Sequence, residues 1–579
     1  MPSLLRLPRL SQSPRGRLTS HFFASLFDFG VLTPAGSDAL THWLLGAVGG
    51  LIAIGLGATR VYAGKYAALS GSHSPEPYRI AVLGDDLFLV GLPMLLVGLL
   101  TVLINQALFP DERDFRILGP LPIRRPLIFA TKLTALFSFI GVVVAVLHIA
   151  LSPLMLMTSI GRHSEHGVID RLGAWLIASV TGCIFAVLVV AAMTGVVTLV
   201  LSRTRLHALT AISRSLLLAG LVVCLPFVFR LPNAGASMAG QAPWLIVVPP
   251  AWFVGLEHVL LDTSENWALR LAAVALAATA ISAAIVAGVY VLLFQRFEHL
   301  LLRPPSASPF EFPRNPIGSS RRKDSSASES QACRGVSRFI SATLRRSQLH
   351  QGVLLGLSAC GVALALNRLV GVNWTFSPPA VQPDSFLLYV SFWAPFAVMF
   401  VAGISMRAAI ALPMNHRANW IFQLTEADAT RGGEMRAVDR VVTLYTVGLP
   451  VAFALAVLWT VLPPTKAVIA VTLVALIGRV FVHGVLIDWR RIPFTCSYMP
   501  GKRMLVFTLV PGFAAFVLFI SFSVLLVHTA LKRPVYALII ATGLAALSLL
   551  LRRSRIAEWQ QTPLMFDDEL PDQPLQLGL

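Results

Sequence analysis

Residues 109–133, FPDERDFRILGPLPIRRPLIFATKL, form a charged, proline-punctuated segment wedged between two long apolar runs, in a chain whose residues are 56% hydrophobic. The acids Asp111, Glu112 and Asp114 come first, then Ile117-Leu118, then Leu121-Pro122-Ile123, then Arg124 and Arg125, with Lys132 at the mouth of the next run. The flanking runs reach the roughly 20 apolar residues that a helix needs to cross about 30 Å of hydrocarbon. The charged segment therefore reads as a loop outside the membrane, and the runs as spans.

Composition agrees with that reading across the whole chain. With 579 residues, only 13% of them charged, and a mean hydropathy of +0.74, there is more apolar surface than a soluble domain can hide. Lipid-facing barrel strands alternate over about ten residues, and the runs here are continuous and longer. Only helices then satisfy the backbone inside hydrocarbon. The expected fold is all-α: a polytopic helical membrane protein with about twelve transmembrane helices in two six-helix halves, its first partner being the lipid bilayer.

Working outward toward the N-terminus, span two is expected over about 86–108, opening on Asp85-Asp86, and a glycine-rich span one over 42–59. Asp85-Asp86 reads as a helix start, where carboxylates complement the positive helix end. Residues 19–33 place Phe22, Phe23, Leu26, Phe27 and Val31 on one stripe behind several arginines, which suits an interfacial helix; an ordinary packed amphipathic helix fits the same pattern. Toward the C-terminus, spans three to six are expected over 133–157, 173–201, 215–229 and 267–294. Between the last two lies APWLIVVPPAWFVGLEHVLLD, 242–262. Each apolar half flanking Pro249-Pro250 is too short to cross, and tandem prolines remove two donors and push the preceding residue out of helix. A broken, re-entrant hairpin carrying Pro249, Pro250, Trp252 and Glu257 is expected, with an amphipathic loop as the alternative.

Residues 303–335 turn abruptly to serine, proline and basic residues, the composition of a disordered linker. The expected divisions are thus 1–302, a first six-span half; 303–335, a cytoplasmic linker; and 336–579, a second half with its own interfacial helix over 335–350, spans over 352–372, 386–412, 441–462, 467–487, 504–528 and 534–551, and an acidic tail. After its second span comes 413–441, which echoes the opening stretch in layout: Trp420, Ile421, Phe422 and Leu424, the acids Glu426 and Asp428, then basic residues. Two halves of like order imply a pseudo-twofold repeat.

The net charge of +18 marks topology here rather than a nucleic-acid partner. With both termini cytoplasmic, inner segments and the inner halves of the spans hold 35 of the 46 Lys and Arg residues, as the positive-inside rule requires. Inner-membrane placement follows for a bacterial source. The five cysteines are scattered, without the spacing of a metal or disulfide framework, and no cleaved leader is expected from the N-terminal pattern.

No GxxxxGK[ST] loop is present, and SYMPGKR at 497–503 lacks both the first glycine and the Ser or Thr that would serve Mg²⁺. Zincin and hydrolase motifs are also missing, so enzyme chemistry is not expected in this chain. The acids fall at expected span ends or in loops, which speaks against an ion-coupled carrier with a mid-membrane carboxylate. Arg479 and His483, four residues apart, share a helix face and fit either a polar pathway or a structural pair. His148 reads as a satisfied packing histidine.

The charged loop after the second span, the interfacial helix before the first, the PPAWF break before the last and six spans per half resemble the permeases of type-2 ATP-binding-cassette (ABC) exporters. That resemblance covers the first 300 residues by motif and the second half by layout. It implies a transmembrane permease that moves an unidentified substrate, with no cofactor in this chain and with ATP and Mg²⁺ bound by a separate ABC ATPase subunit in two copies. Coupling to that partner would fall on Asp111, Glu112, Asp114, Leu118, Leu121, Pro122 and Arg124, and on Trp420, Phe422, Glu426 and Asp428. The competing classes are a 6+6 secondary carrier driven by an ion gradient and a non-transport membrane protein.

Overall fold

A computed structural model of the chain describes residues 14–25, 37–104, 125–159, 162–164, 166–200, 203–261, 265–301, 325–374, 383–412, 428–487, 489–495 and 505–561. Among these the protein is 91% helical and has no strand. Ten helices are long and apolar enough to cross a membrane, eleven if the bent pair Ser213–Val228 and Leu231–Ala239 counts as one. The chain is an all-α, multi-pass membrane protein. Of the twelve expected spans, the first falls on a helix outside the ten and the fifth on the bent pair.

Two compact units divide the chain: residues 1–202 with 224–304, and residues 203–223 with 305–579. In the first unit α1 (Pro14–Ser25) is followed by α2 (Ser37–Ser70), α3 (Glu76–Leu103), α4 (Arg125–Ser159) and α5 (Val168–Val200). The helix α6 (Arg203–Val228) carries the chain to a broken segment: a 3-10 turn at Leu231–Ala234, the short α7 (Gly235–Ala239), a second 3-10 turn at Pro243–Val247, and α8 (Pro249–Leu260). Then comes α9 (Asn266–Leu301). At 1.5 Å per residue the 28 residues of α3 run for about 42 Å, longer than the hydrocarbon, whereas the 12 residues of α8 run for about 18 Å and cannot span it.

Within this unit α2 packs on α4, α3 on α5, α5 on α9, and α8 on α3, α5 and α9. The core they enclose is built on Leu87, Val90, Trp175, Phe253 and Val254. α3 crosses the broken segment closely: a Cβ at Gly84 would run into the Pro232 carbonyl, and one at Gly235 into the Ile80 carbonyl. Small residues let two backbones approach in this way where lipid supplies no hydrophobic force between helices. Leu18, Phe22 and Phe23 of α1 rest on α4 around Ala135, and Lys132 Nζ lies 5.7 Å from the centre of the Phe22 ring.

Besides residues 203–223 of α6, the second unit comprises α10 (Ser325–Arg346), α11 (Gln348–Trp374), α12 (Pro383–Ala411), α13 (Asp428–Val461), α14 (Pro464–Val485), α15 (Leu505–Lys532) and α16 (Pro534–Gln561). Helix α10 takes in residues 335–346 of the interfacial stretch expected at 335–350, the rest opening α11, and begins at Ser325, inside the stretch expected as linker. Cys333, Val336 and Ile340 explain this: their i, i+3, i+7 spacing forms an apolar stripe that is buried in a cluster with Met435, Val438 and Val442 of α13. α11 packs on α12, α12 on α13 and α15, α13 on α14, and α14 and α15 on α16.

Candidate functional site

Charged side chains gather in the first unit at the end where α2 finishes and α3 and α5 begin. Asp85 and Asp86 lie well inside α3, whose only first-turn acid is Glu76. The expectation of a helix start at Asp85-Asp86 is therefore corrected: the helix continues back to Glu76, and both carboxylates are closed off from solvent, Asp86 completely at 0% exposure. A hydropathy pattern ends a span at such charges; the fold keeps them because other helices supply their partners.

Those partners are specific. Lys65 Nζ donates to the two oxygens of Asp85 at 2.9 and 2.7 Å, and Tyr66 Oη donates at 2.6 Å. The Lys65 ammonium also lies over the Tyr62 and Tyr66 rings, 5.7 and 5.5 Å from their centres, an arrangement in which ring faces stabilise a cation. Arg171, near the start of α5, gives one Nη2 to both oxygens of Asp86 at 2.9 and 2.8 Å, with its side chain only 8% exposed. Charge-assisted bonds of this length are the strong kind.

Glu257 completes the cluster from α8. Prolines 249 and 250 open that helix behind an extended Val248, the place where a missing N–H costs nothing. Gly255 brings α8 against α9, where a Cβ would meet Leu271 and the Ala268 carbonyl. Two residues on, a helix has turned by about 200°, so Glu257 points away from α9. It is 0% exposed, and neither carboxyl oxygen has a hydrogen-bond partner; Arg171 Nε and Trp175 Nε1 also lack one. Burial holds the Glu257 carboxyl well above the usual carboxylate range, with the charge of Asp86 adding to the effect and Arg171 opposing it.

Around this core, Trp252 Nε1 donates to the Ile246 carbonyl at 2.9 Å, tying α8 to the preceding turn. Tyr78 Oη donates to the Thr158 carbonyl at 2.8 Å. Glu265 accepts from Trp267 Nε1 and from Arg79 at 2.5 Å; the Trp267 bond, helped by Arg79, lowers its pKa below the usual range. Burial, reinforced by Arg171, lowers that of His258. His148 has both ring nitrogens engaged, with the Val144 carbonyl at 2.8 Å and Ser179 Oγ at 2.9 Å. A carbonyl only accepts, so Nδ1 donates to it and the neutral ring takes the Ser179 hydrogen at Nε2.

In the second unit Arg479 and His483 are engaged by different partners. Arg479 donates to Asp439 at 2.8 Å and to Thr443, while His483 Nδ1 sits 3.1 Å from Arg555. Arg555 lies 3.9 Å from Asp439 and stacks on Trp559. The cavity beside Asp439, His483 and Arg555 measures about 10 Å³, the space of one water at most. This is a packed ion network. The residues expected to couple to an ATPase lie outside the described residues, except Asp428, the first residue of α13.

Lys65, Tyr66 and Arg171 escape a reading of the sequence alone. They stand tens of residues from the acids they serve, and the local signs of their role are weak: the Tyr62-Tyr66-Lys65 grouping near the end of α2, and one arginine beside Asp170 in the first turn of a largely apolar α5. Among the described residues no group of His, Cys, Asp and Glu is arranged to hold a metal ion. What fold and site define together is a multi-pass helical membrane protein with a buried, ion-paired cluster in its first unit. No family model, curated protein or solved structure matches the chain.

Proposed function

We propose that the chain is the membrane-embedded permease of an ATP-driven ABC exporter, set in the inner membrane with both termini cytoplasmic and energised by a separate ATPase in two copies. The observation that carries this reading is the order of elements in the first unit. A short helix precedes the first long helix, the charged sequence 109–124 follows the second, and a broken buried segment separates α6 from the last long helix, α9. The second unit supports it with the same opening: α10 rests on α13 as α1 rests on α4. Each of these supported helices begins at the end of a charged stretch of sequence. A partner pressing on residues 109–133 and 413–441 would thus move helix and interfacial element as one body. In this reading ATP and Mg²⁺ belong to the partner.

The test is co-purification of the tagged full chain with an ABC ATPase from its own membranes, with substrate efflux followed in parallel. Replacing Asp111, Glu112 and Asp114 with Ala should release the ATPase and abolish efflux while the permease remains in the membrane. A second reading, a carrier driven by an ion gradient, is favoured by the carboxylates of Asp85, Asp86 and Glu257, which are buried inside the protein. Efflux that persists without any ATPase and stops when the proton gradient is collapsed would decide for the carrier.

A further inference from the structure

The cluster in the first unit does not balance its charges. Asp85 is matched by Lys65 and Asp86 by Arg171, and Glu257 is left as a third carboxyl, fully buried and without a donor to either oxygen. An ionised carboxylate in that position would be an uncompensated buried charge, which proteins avoid by neutralising the group. A proton does this without any further partner.

We propose that this cluster is a proton-binding site and that Glu257 carries the proton as a neutral carboxylic acid. The groups around it are few. α3 contributes Asp85 and Asp86, α5 contributes Arg171, and α2 lies behind with Lys65, Tyr62 and Tyr66. The turn Pro243–Val247 has no ionisable side chain. On the side of α9, Glu265 is engaged by Trp267 and Arg79, and Arg270 is exposed. His258, next along α8, feels Arg171 and Arg79, whose positive charges disfavour a second cation there.

Loss of the proton has a structural consequence. Arg171 interacts electrostatically with both Asp86 and Glu257, and its buried Nε–H has no acceptor. An ionised Glu257 competes with Asp86 for that guanidinium, so proton release redistributes the one cation that α5 contributes between α3 and α8. Bound proton and paired Asp86 make one state; released proton and shared Arg171 make the other. The site is independent of whether an ATPase drives the protein.

Infrared spectroscopy of the full chain in lipid nanodiscs tests the proposal directly. The wild type should show the carbonyl band of a protonated, solvent-shielded carboxyl at neutral pH, shifted in D₂O. Glu257→Gln, which has nearly the shape of the neutral acid, should lose the band and keep the melting temperature. Asp86→Asn removes one negative charge, and the band should then titrate away at lower pH than in the wild type. A wild type without the band, a band that survives in Glu257→Gln, or a band abolished by sodium at constant pH would overturn the proposal, the last by showing a metal-cation site.

Discussion

The two halves of the chain, residues 14–301 and 325–561, run through the same order of helices and use it differently. In both, the amphipathic helix rests on the third long helix and the fourth long helix packs on the sixth: α1 on α4 and α5 on α9 in one, α10 on α13 and α14 on α16 in the other. Elsewhere the packing departs. α2 lies mainly on α4 and α3 on α5, whereas α11 lies on α12 and α12 on α13. The connection before the last helix differs most. Between α15 and α16 it is Arg533 alone, while the first unit fills the corresponding stretch with α7, α8 and two 3-10 turns. That inserted segment is what makes a buried site possible, because it supplies Glu257 and covers α3 and α5. A repeat of order is thus no repeat of packing.

The largest difference between the two ion networks is expected at their arginines. Arg171→Met leaves Asp86 buried without its partner, and losing one member of such a pair costs about 3–5 kcal/mol. Arg479→Met removes a side chain that is 24% exposed and leaves Asp439 with Arg555 nearby, so about 1–2 kcal/mol is expected. Unfolding of both variants in a mild detergent, followed by denaturant titration, should rank Arg171→Met as the more damaging. Equal losses would mean that the two ion networks are energetically alike.

Next in size is the crossing of α3 with the broken segment. Gly84→Ala or Gly235→Ala drives a methyl into a backbone carbonyl that cannot step aside, and overpacking of this kind costs about 1–3 kcal/mol. Gly57→Ala and Gly288→Ala, at positions with open space, should be neutral in the same assay. The contrast would locate the stability of the first unit in the inserted segment rather than in its long helices.

Much of this architecture was legible in advance, and what was hidden shares a physical cause. Long apolar runs announce helices because the bilayer leaves the backbone no alternative, and Pro249-Pro250 announces a break because of what proline cannot donate. The depth of Asp85 and Asp86 was hidden because their neutralising partners, Lys65 and Arg171, are close only in space. The start of α10 was hidden under serines that mask a three-residue apolar stripe, Cys333, Val336 and Ile340. The partners of Arg479 and His483 were hidden for a related reason: helix spacing puts two residues on one face, but the carboxylate that claims Arg479 comes from α13.

The smallest effect belongs to Glu265, at the edge of the same cluster. Its lowered pKa means that the native state holds the ionised form in preference to the unfolded chain. The resulting stabilisation is present at neutral pH and is lost as the pH falls through the lowered native value, once both states carry the proton. Its size is small because Glu265 is 41% and Arg79 57% exposed, and water and salt screen such a pair to a few tenths of a kcal/mol. Glu265→Gln should therefore shift the melting temperature only slightly at neutral pH, and the shift should vanish in acid. It should leave the infrared signature of Glu257 untouched, since the side chains of Trp267 and Arg79 already occupy Glu265. A large loss in this variant, comparable with that of Arg171→Met, would show that the buried cluster extends to the surface and draws its stability from the rim.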